Sequence, residues 1–142
     1  GTWLKNTWYF INNNWYYFDN DCSMHTGWLS LGGYWYYLHP VEAPEGHRAA
    51  GFAKIDGKWY YYRTDGSKAA KCWELVNGKW YWFNSNGVMV TGWNWIKCAD
   101  GWQRCYYMDP SGACQIGGVT PDGYTVDGTG AWTVNGVVQV KQ

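Results

Sequence analysis

The chain has 142 residues, about one ordinary domain, of which 21% are Phe, Tyr or Trp and 15% are charged, with 11 basic and 11 acidic groups summing to zero formal charge. Average domains are about 25% charged, so rings are available here for surfaces as well as cores, and zero net charge excludes an electrostatic footprint for nucleic acid or an anionic membrane. No apolar run approaches the roughly 20 residues of a membrane span, and the N-terminal GTWLKNTW has no basic-then-apolar leader pattern, so the chain reads as a piece cut from something longer.

In chain order, the first predicted hairpin runs from a strand at Trp8 through the turn NNN at 12–14 into WYYF from Trp15, and the turn DND follows at 19–21. The second has Trp28, the turn Gly32-Gly33 and WYYL from Trp35. Residues 39–51, HPVEAPEGHRAAG, hold two prolines and no aromatic and read as an inserted surface loop. The third hairpin has Phe52, Asp56-Gly57 and WYYY from Trp59; the fourth has Trp73, Asn77-Gly78 and WYWF from Trp80. In the fifth, IKCADGWQR lengthens the connection between Trp93 and CYYM, which starts at Cys105. Short aromatic strands around Gly, Asn or Asp turns are β-hairpins, and no 3.6-residue periodicity survives to suggest a helix.

The aligned positions 15, 35, 59, 80 and 105 are 20, 24, 21 and 25 residues apart. That period marks a repeat array. A lone hairpin is marginal in water, so each must stack on its neighbours. The tail TPDGYTVDGTGAWTVNGVVQVKQ lacks WYY but carries the tight-turn pair Asn135-Gly136, and reads as an atypical closing hairpin over the open end. The expectation is an all-β solenoid forming a single module over 1–142, with five repeats over about 8–117 and a cap over 118–142.

Alternation along WYYF puts aromatics on both faces of each hairpin, and only one face can be the shared core. Rings left at the seams form open-sided boxes. Such boxes attract a quaternary ammonium, whose charge cannot be hydrogen-bonded, by about 0.5–2 kcal/mol per ring contact. A second reading is that the rings merely fill a thin core.

The stretch GKWYWFNSNGVMVTGW at 78–93 resembles the choline-binding, or cell-wall-binding, repeats of bacterial surface proteins and lysins almost position for position. WYYFDNDCSMHTGW at 15–28 resembles them too, departing mainly by Cys22 at the usual glycine. The resemblance covers about residues 8–117 and implies a left-handed superhelix of hairpins, with choline held between consecutive hairpins and the phosphocholine of teichoic acids as the usual partner. It implies a first box of Trp8, Trp15 and Met24 closed by Tyr36, and a fourth of Trp73, Trp80 and Met89 closed by Tyr106. The second keeps Trp28 and Trp35, with Tyr60 following, but has Arg48 where methionine is expected; the third has Phe52, Trp59 and Lys68. Because a like charge repels choline, the boxes between hairpins one and two and between four and five are expected to work best. Cys105 and Cys114 make the fifth repeat a structural unit.

No enzyme is expected, since the histidines at 25, 39 and 47 lie in turns and the inserted loop, without a nucleophile motif or paired carboxylates. Nor is a cofactor or metal expected: Asp19 and Asp21 read as turn chemistry rather than a calcium site, and the five cysteines have no zinc-like spacing. Cys98 and Cys105 flank a turn, which leaves a local disulfide open. The resemblance leaves two alternatives to choline, a carbohydrate-binding repeat domain for a glucan or cell-wall glycan and a structural spacer. Secretion and cell-wall association, with no nucleic acid and no membrane insertion, complete the expectation.

Overall fold

The computed structural model describes residues 3–142, and those residues form strands and turns with no helix. They fall into two compact units that divide between Ala69 and Ala70.

The first unit holds three antiparallel hairpins. These are β1 (Thr7–Ile11) with β2 (Asn14–Phe18), β3 (Gly27–Leu31) with β4 (Tyr34–Leu38), and β5 (Gly51–Ile55) with β6 (Lys58–Tyr62). All three close through two-residue turns. At Asn12-Asn13 the φ angles are 51° and 63°, the doubly left-handed geometry that matches the twist of the flanking strands. Asn and Gly at these turns are therefore a backbone requirement, and they fix register: Trp8 pairs with Tyr17, Trp28 with Tyr37 and Phe52 with Tyr61.

The second unit holds β7 (Cys72–Val76) with β8 (Lys79–Phe83) and β9 (Gly92–Lys97) with β10 (Gln103–Met108). The closing segment is more than the single hairpin expected. Around Asn135-Gly136, β12 (Trp132–Val134) pairs with β13 (Val137–Val138), and β11 (Thr125–Val126) adds to the other side of β12. The last strand, β14 (Val140–Lys141), pairs instead with β10. A free edge exposes unpaired N–H and C=O groups, and β14 covers part of that edge on β10.

In the tetrads of the second, third and fourth hairpins the first and last residues have opposite fates, whereas in the fifth both Cys105 and Met108 are buried. The last residue forms the core: Leu38, Tyr62, Phe83 and Met108 are at most 1% exposed. The leading tryptophans stay partly open, Trp15 at 38%, Trp35 at 46%, Trp59 at 42% and Trp80 at 41%.

The turns after the hairpins share one device. Asp65 Oδ1 accepts from the Ser67 N–H and hydroxyl, Asp109 Oδ1 from Ser111 in the same way and from the Ala113 N–H, and Asp127 Oδ1 from Thr129 and Ala131. Asp21 likewise accepts from Ser23, which accounts for the DND stretch as turn chemistry.

The structure overturns the Cys98–Cys105 disulfide. Cys105 lies across the ladder from Trp95, while the Cys98 N–H donates to Trp102 O at the turn. The two cysteines are thus three ladder positions out of register, and the Cys98 thiol lies 3.5 Å from the Tyr106 hydroxyl instead.

Candidate functional site

The site is a set of aromatic cages between consecutive hairpins within each unit, and at three of them one backbone bond decides which side chain enters. After every hairpin the chain folds back so that a residue bridges the end of the second strand: Arg48 opposite Leu38, Lys68 opposite Tyr62, Cys114 opposite Met108. Its N–H then donates to the leading tryptophan of the preceding hairpin: Arg48 to Trp15 O at 2.9 Å, Lys68 to Trp35 O at 2.8 Å, and Cys114 to Trp80 O at 2.8 Å. The side chain at that position therefore enters the seam before its own hairpin.

In the first cage Trp8 meets Tyr36 edge-on, with centroids 5.1 Å apart. The Arg48 guanidinium lies 5.0 Å from the Trp8 ring centroid and 5.3 Å from that of Trp15. Trp8 meets Tyr36 and shares the Arg48 guanidinium with Trp15, so Arg48 occupies the position assigned to Met24. Met24 packs against Gly46, where an added Cβ would fall 2.6 Å from its Sδ. In the second cage Trp28 meets Tyr60 at 5.2 Å and Trp35 at 6.4 Å. Lys68 Nζ sits 4.9 Å from Trp28, 5.3 Å from Tyr60 and 5.9 Å from Trp35. Burial pulls both cations below their ordinary pKa values, with Tyr36 and Asp65 opposing the shift for Arg48. Two of the cages thus hold cations belonging to the chain itself.

The cage between the fourth and fifth hairpins is open. Trp73 meets Tyr106 edge-on at 5.1 Å, and with Trp80, Cys114, Ile116 and Thr129 these rings line a cavity of about 410 Å³. Met89 is not among its walls; it packs against Gly112. Cys114 takes the position, and burial pushes its thiol up to about 11, which keeps it neutral.

A cavity missed by the sequence reading lies between the fifth hairpin and the closing strands. It has about 330 Å³ and is lined by Trp93, Trp95, Cys105, Asp122, Tyr124 and Trp132. Trp93 Nε1 donates to Asp122 Oδ2 at 2.8 Å, and Lys141 Nζ lies 4.7 Å from the Trp95 ring. The absence of WYY in the tail hid it; the alternating Trp93 and Trp95 were the available signal, since residues two apart share a strand face.

The comparisons with known proteins agree with this architecture. A family model described as a choline-binding repeat matches residues 5–42 and 70–116, and one of cell wall binding repeats matches 50–68. Among solved structures, CbpJ from Streptococcus pneumoniae TIGR4 is 36% identical with a TM-score of 0.76, over 89% of this chain and 40% of that one. Choline binding protein F from Streptococcus pneumoniae, solved in the presence of a peptidoglycan analogue, is 37% identical with a TM-score of 0.76, over 89% and 39%. The modular Cpl-1 endolysin, complexed with a peptidoglycan analogue, is 27% identical with a TM-score of 0.60, over 93% and 38%. The chain spans about two fifths of the length of these structures. The search of curated proteins gave no match. With hairpins, seam cages and matched repeats over more than half of its residues, the chain belongs to the choline-binding repeat family of cell-wall-binding modules.

Proposed function

We propose that this chain works as one non-catalytic module holding choline groups of a teichoic acid-type cell-wall polymer, and so anchors a larger protein at the bacterial surface. The observation that carries the reading is the open cage of Trp73, Trp80 and Tyr106, with a neutral thiol at the position where the cages of the first unit hold Arg48 or Lys68. A trimethylammonium group has no N–H to donate and gains from ring faces. The first two cages illustrate that affinity with the chain's own cations, and choline enters them only by displacing Arg48 or Lys68. Each contact is weak, so retention on the wall comes from several sites acting on one polymer.

The experiment is titration with choline, and in parallel with a glucan oligomer, followed by tryptophan fluorescence and calorimetry. Choline is expected to perturb the spectrum and glucan to leave it unchanged. Trp80→Ala should weaken choline binding about 2- to 30-fold, the range set by one ring contact. A response to glucan alone would overturn the assignment in favour of carbohydrate binding.

A further inference from the structure

The connection between β4 and β5 carries a constellation that the cages do not use. His39 Nε2 lies 3.6 Å and His47 Nε2 3.3 Å from the same carboxylate oxygen, Glu42 Oε2. One ligand atom from each of the three lies within 4.8 Å of the other two. The geometry points to a metal site: His39, Glu42 and His47 form a three-ligand set for a divalent ion of the zinc class.

Two features of the backbone build this site. The His39 N–H donates to His47 O at 2.9 Å and the Gly46 N–H to His39 O at 2.7 Å, so the loop is clamped at its base with one histidine on each side. The rings stack with centroids 4.4 Å apart and planes 27° from parallel. Both imidazoles are largely shielded, with side chains 16% and 15% exposed, while Glu42 at 67% is free to adjust.

The tautomer of His47 is set by its other nitrogen. Nδ1 lies 2.7 Å from Pro44 O, a carbonyl that only accepts, so Nδ1 carries the proton and donates. Nε2 is then the nitrogen that faces Glu42 and the one that can offer a lone pair to an ion placed between them, which is how metal-binding histidines are commonly oriented.

Distance and donor type select the ion. Zinc bonds of about 2.0–2.1 Å to His nitrogen and carboxylate oxygen, at tetrahedral angles, separate neighbouring ligand atoms by about 3.3–3.4 Å. The two histidine-to-glutamate distances are already near that edge, and all three ligand atoms lie within 4.8 Å of one another. Two nitrogens and one oxygen suit zinc, nickel or copper; calcium and magnesium favour oxygen-only sets. Three protein ligands leave a fourth position for water or an incoming group. Arg48 follows His47 directly, so an ion here ties down the residue that fills the first cage.

The test is calorimetric titration of the whole chain with Zn²⁺ alone, with Ca²⁺ and Mg²⁺ as controls, alongside thermal unfolding. One Zn²⁺ per chain and a raised Tm are expected, with no response to Ca²⁺ or Mg²⁺. His39→Ala and His47→Ala should each abolish the binding. Glu42→Gln, at an exposed position where folding is not at stake, should weaken it by at least about tenfold, the scale reached even by outer-shell partners. Co²⁺ as a spectroscopic probe should show no thiolate charge-transfer band. Absence of Zn²⁺ binding, binding that survives all three substitutions, or a thiolate band assigning the metal to the cysteines would each overturn the proposal.

Discussion

At the scale of single residues, the cages are decided by which side chain follows the backbone bond to the preceding tryptophan. Replacing Arg48 by Met removes a cation 5.0 Å from Trp8 and leaves a neutral, polarisable wall. Arg48→Met and Lys68→Met should each add one choline site, read as an increase of one in calorimetric stoichiometry; unchanged stoichiometry in both would show that these cations do not close the cages. Tyr62 makes a separate point. Its hydroxyl is buried without a hydrogen-bond partner, and burial, with lesser contributions from Tyr60 and Tyr37, pushes its pKa well above the ordinary value. An orphaned buried hydroxyl costs about 1–3 kcal/mol. Tyr62→Phe should therefore hold or raise stability by up to about 1 kcal/mol in denaturant unfolding, whereas a clear loss would mean that the hydroxyl has a partner.

At the scale of elements, the aspartate turns connect pH to stability. Hydrogen bonds from the Ser67 side chain and backbone hold Asp65 below its ordinary 3.8. For Asp109 and Asp127, burial alone would raise the pKa, but the combined bonds from Ser111 and Ala113, or from Thr129 and Ala131, outweigh it and the net shift is downward. A carboxylate whose folded pKa is depressed contributes stability that is present above its unfolded pKa and is lost as pH falls through the folded one. Tm should therefore be flat on this account above about pH 5 and fall below about pH 4. Asp109→Asn should reduce that acid dependence, and an unchanged profile would contradict the assignment. Gly130 links a turn to the open cage. Its φ is +91°, and an added Cβ would lie 2.9 Å from Cys114 Sγ and 3.1 Å from Gln115 O. Gly130→Ala should destabilise by about 1–3 kcal/mol and weaken choline binding, because Cys114 and Ile116 are cage walls; normal binding with normal stability would refute the link.

At the scale of the whole molecule, the repeat pattern distributes several weak cages along one chain. A polymer carrying many cholines should bind more tightly than free choline by more than the number of sites, and equal affinities would remove the multivalent part of the proposed function. The sequence alone determined the hairpins, because Asn12-Asn13, Asp56-Gly57 and Asn77-Gly78 impose a local backbone geometry that fixes each register from within. The recurrence of Trp8, Trp15, Trp28, Trp35, Trp73 and Trp80 with the repeat was legible too: Trp8 and Trp15 share Arg48, Trp28 meets Trp35, and Trp73 and Trp80 line one cavity. The occupant of each cage was left to tertiary structure. Arg48 is far from Trp15 along the chain, and nothing local distinguishes a side chain entering its own seam from one entering the seam before it; the bond from Arg48 N–H to Trp15 O makes that choice. The closing strands were obscured for the same reason, since β14 pairs with β10 across a long stretch of chain. His39 and His47 looked like loop residues in sequence, and only the clamp at the base of the loop stacks their rings beside Glu42.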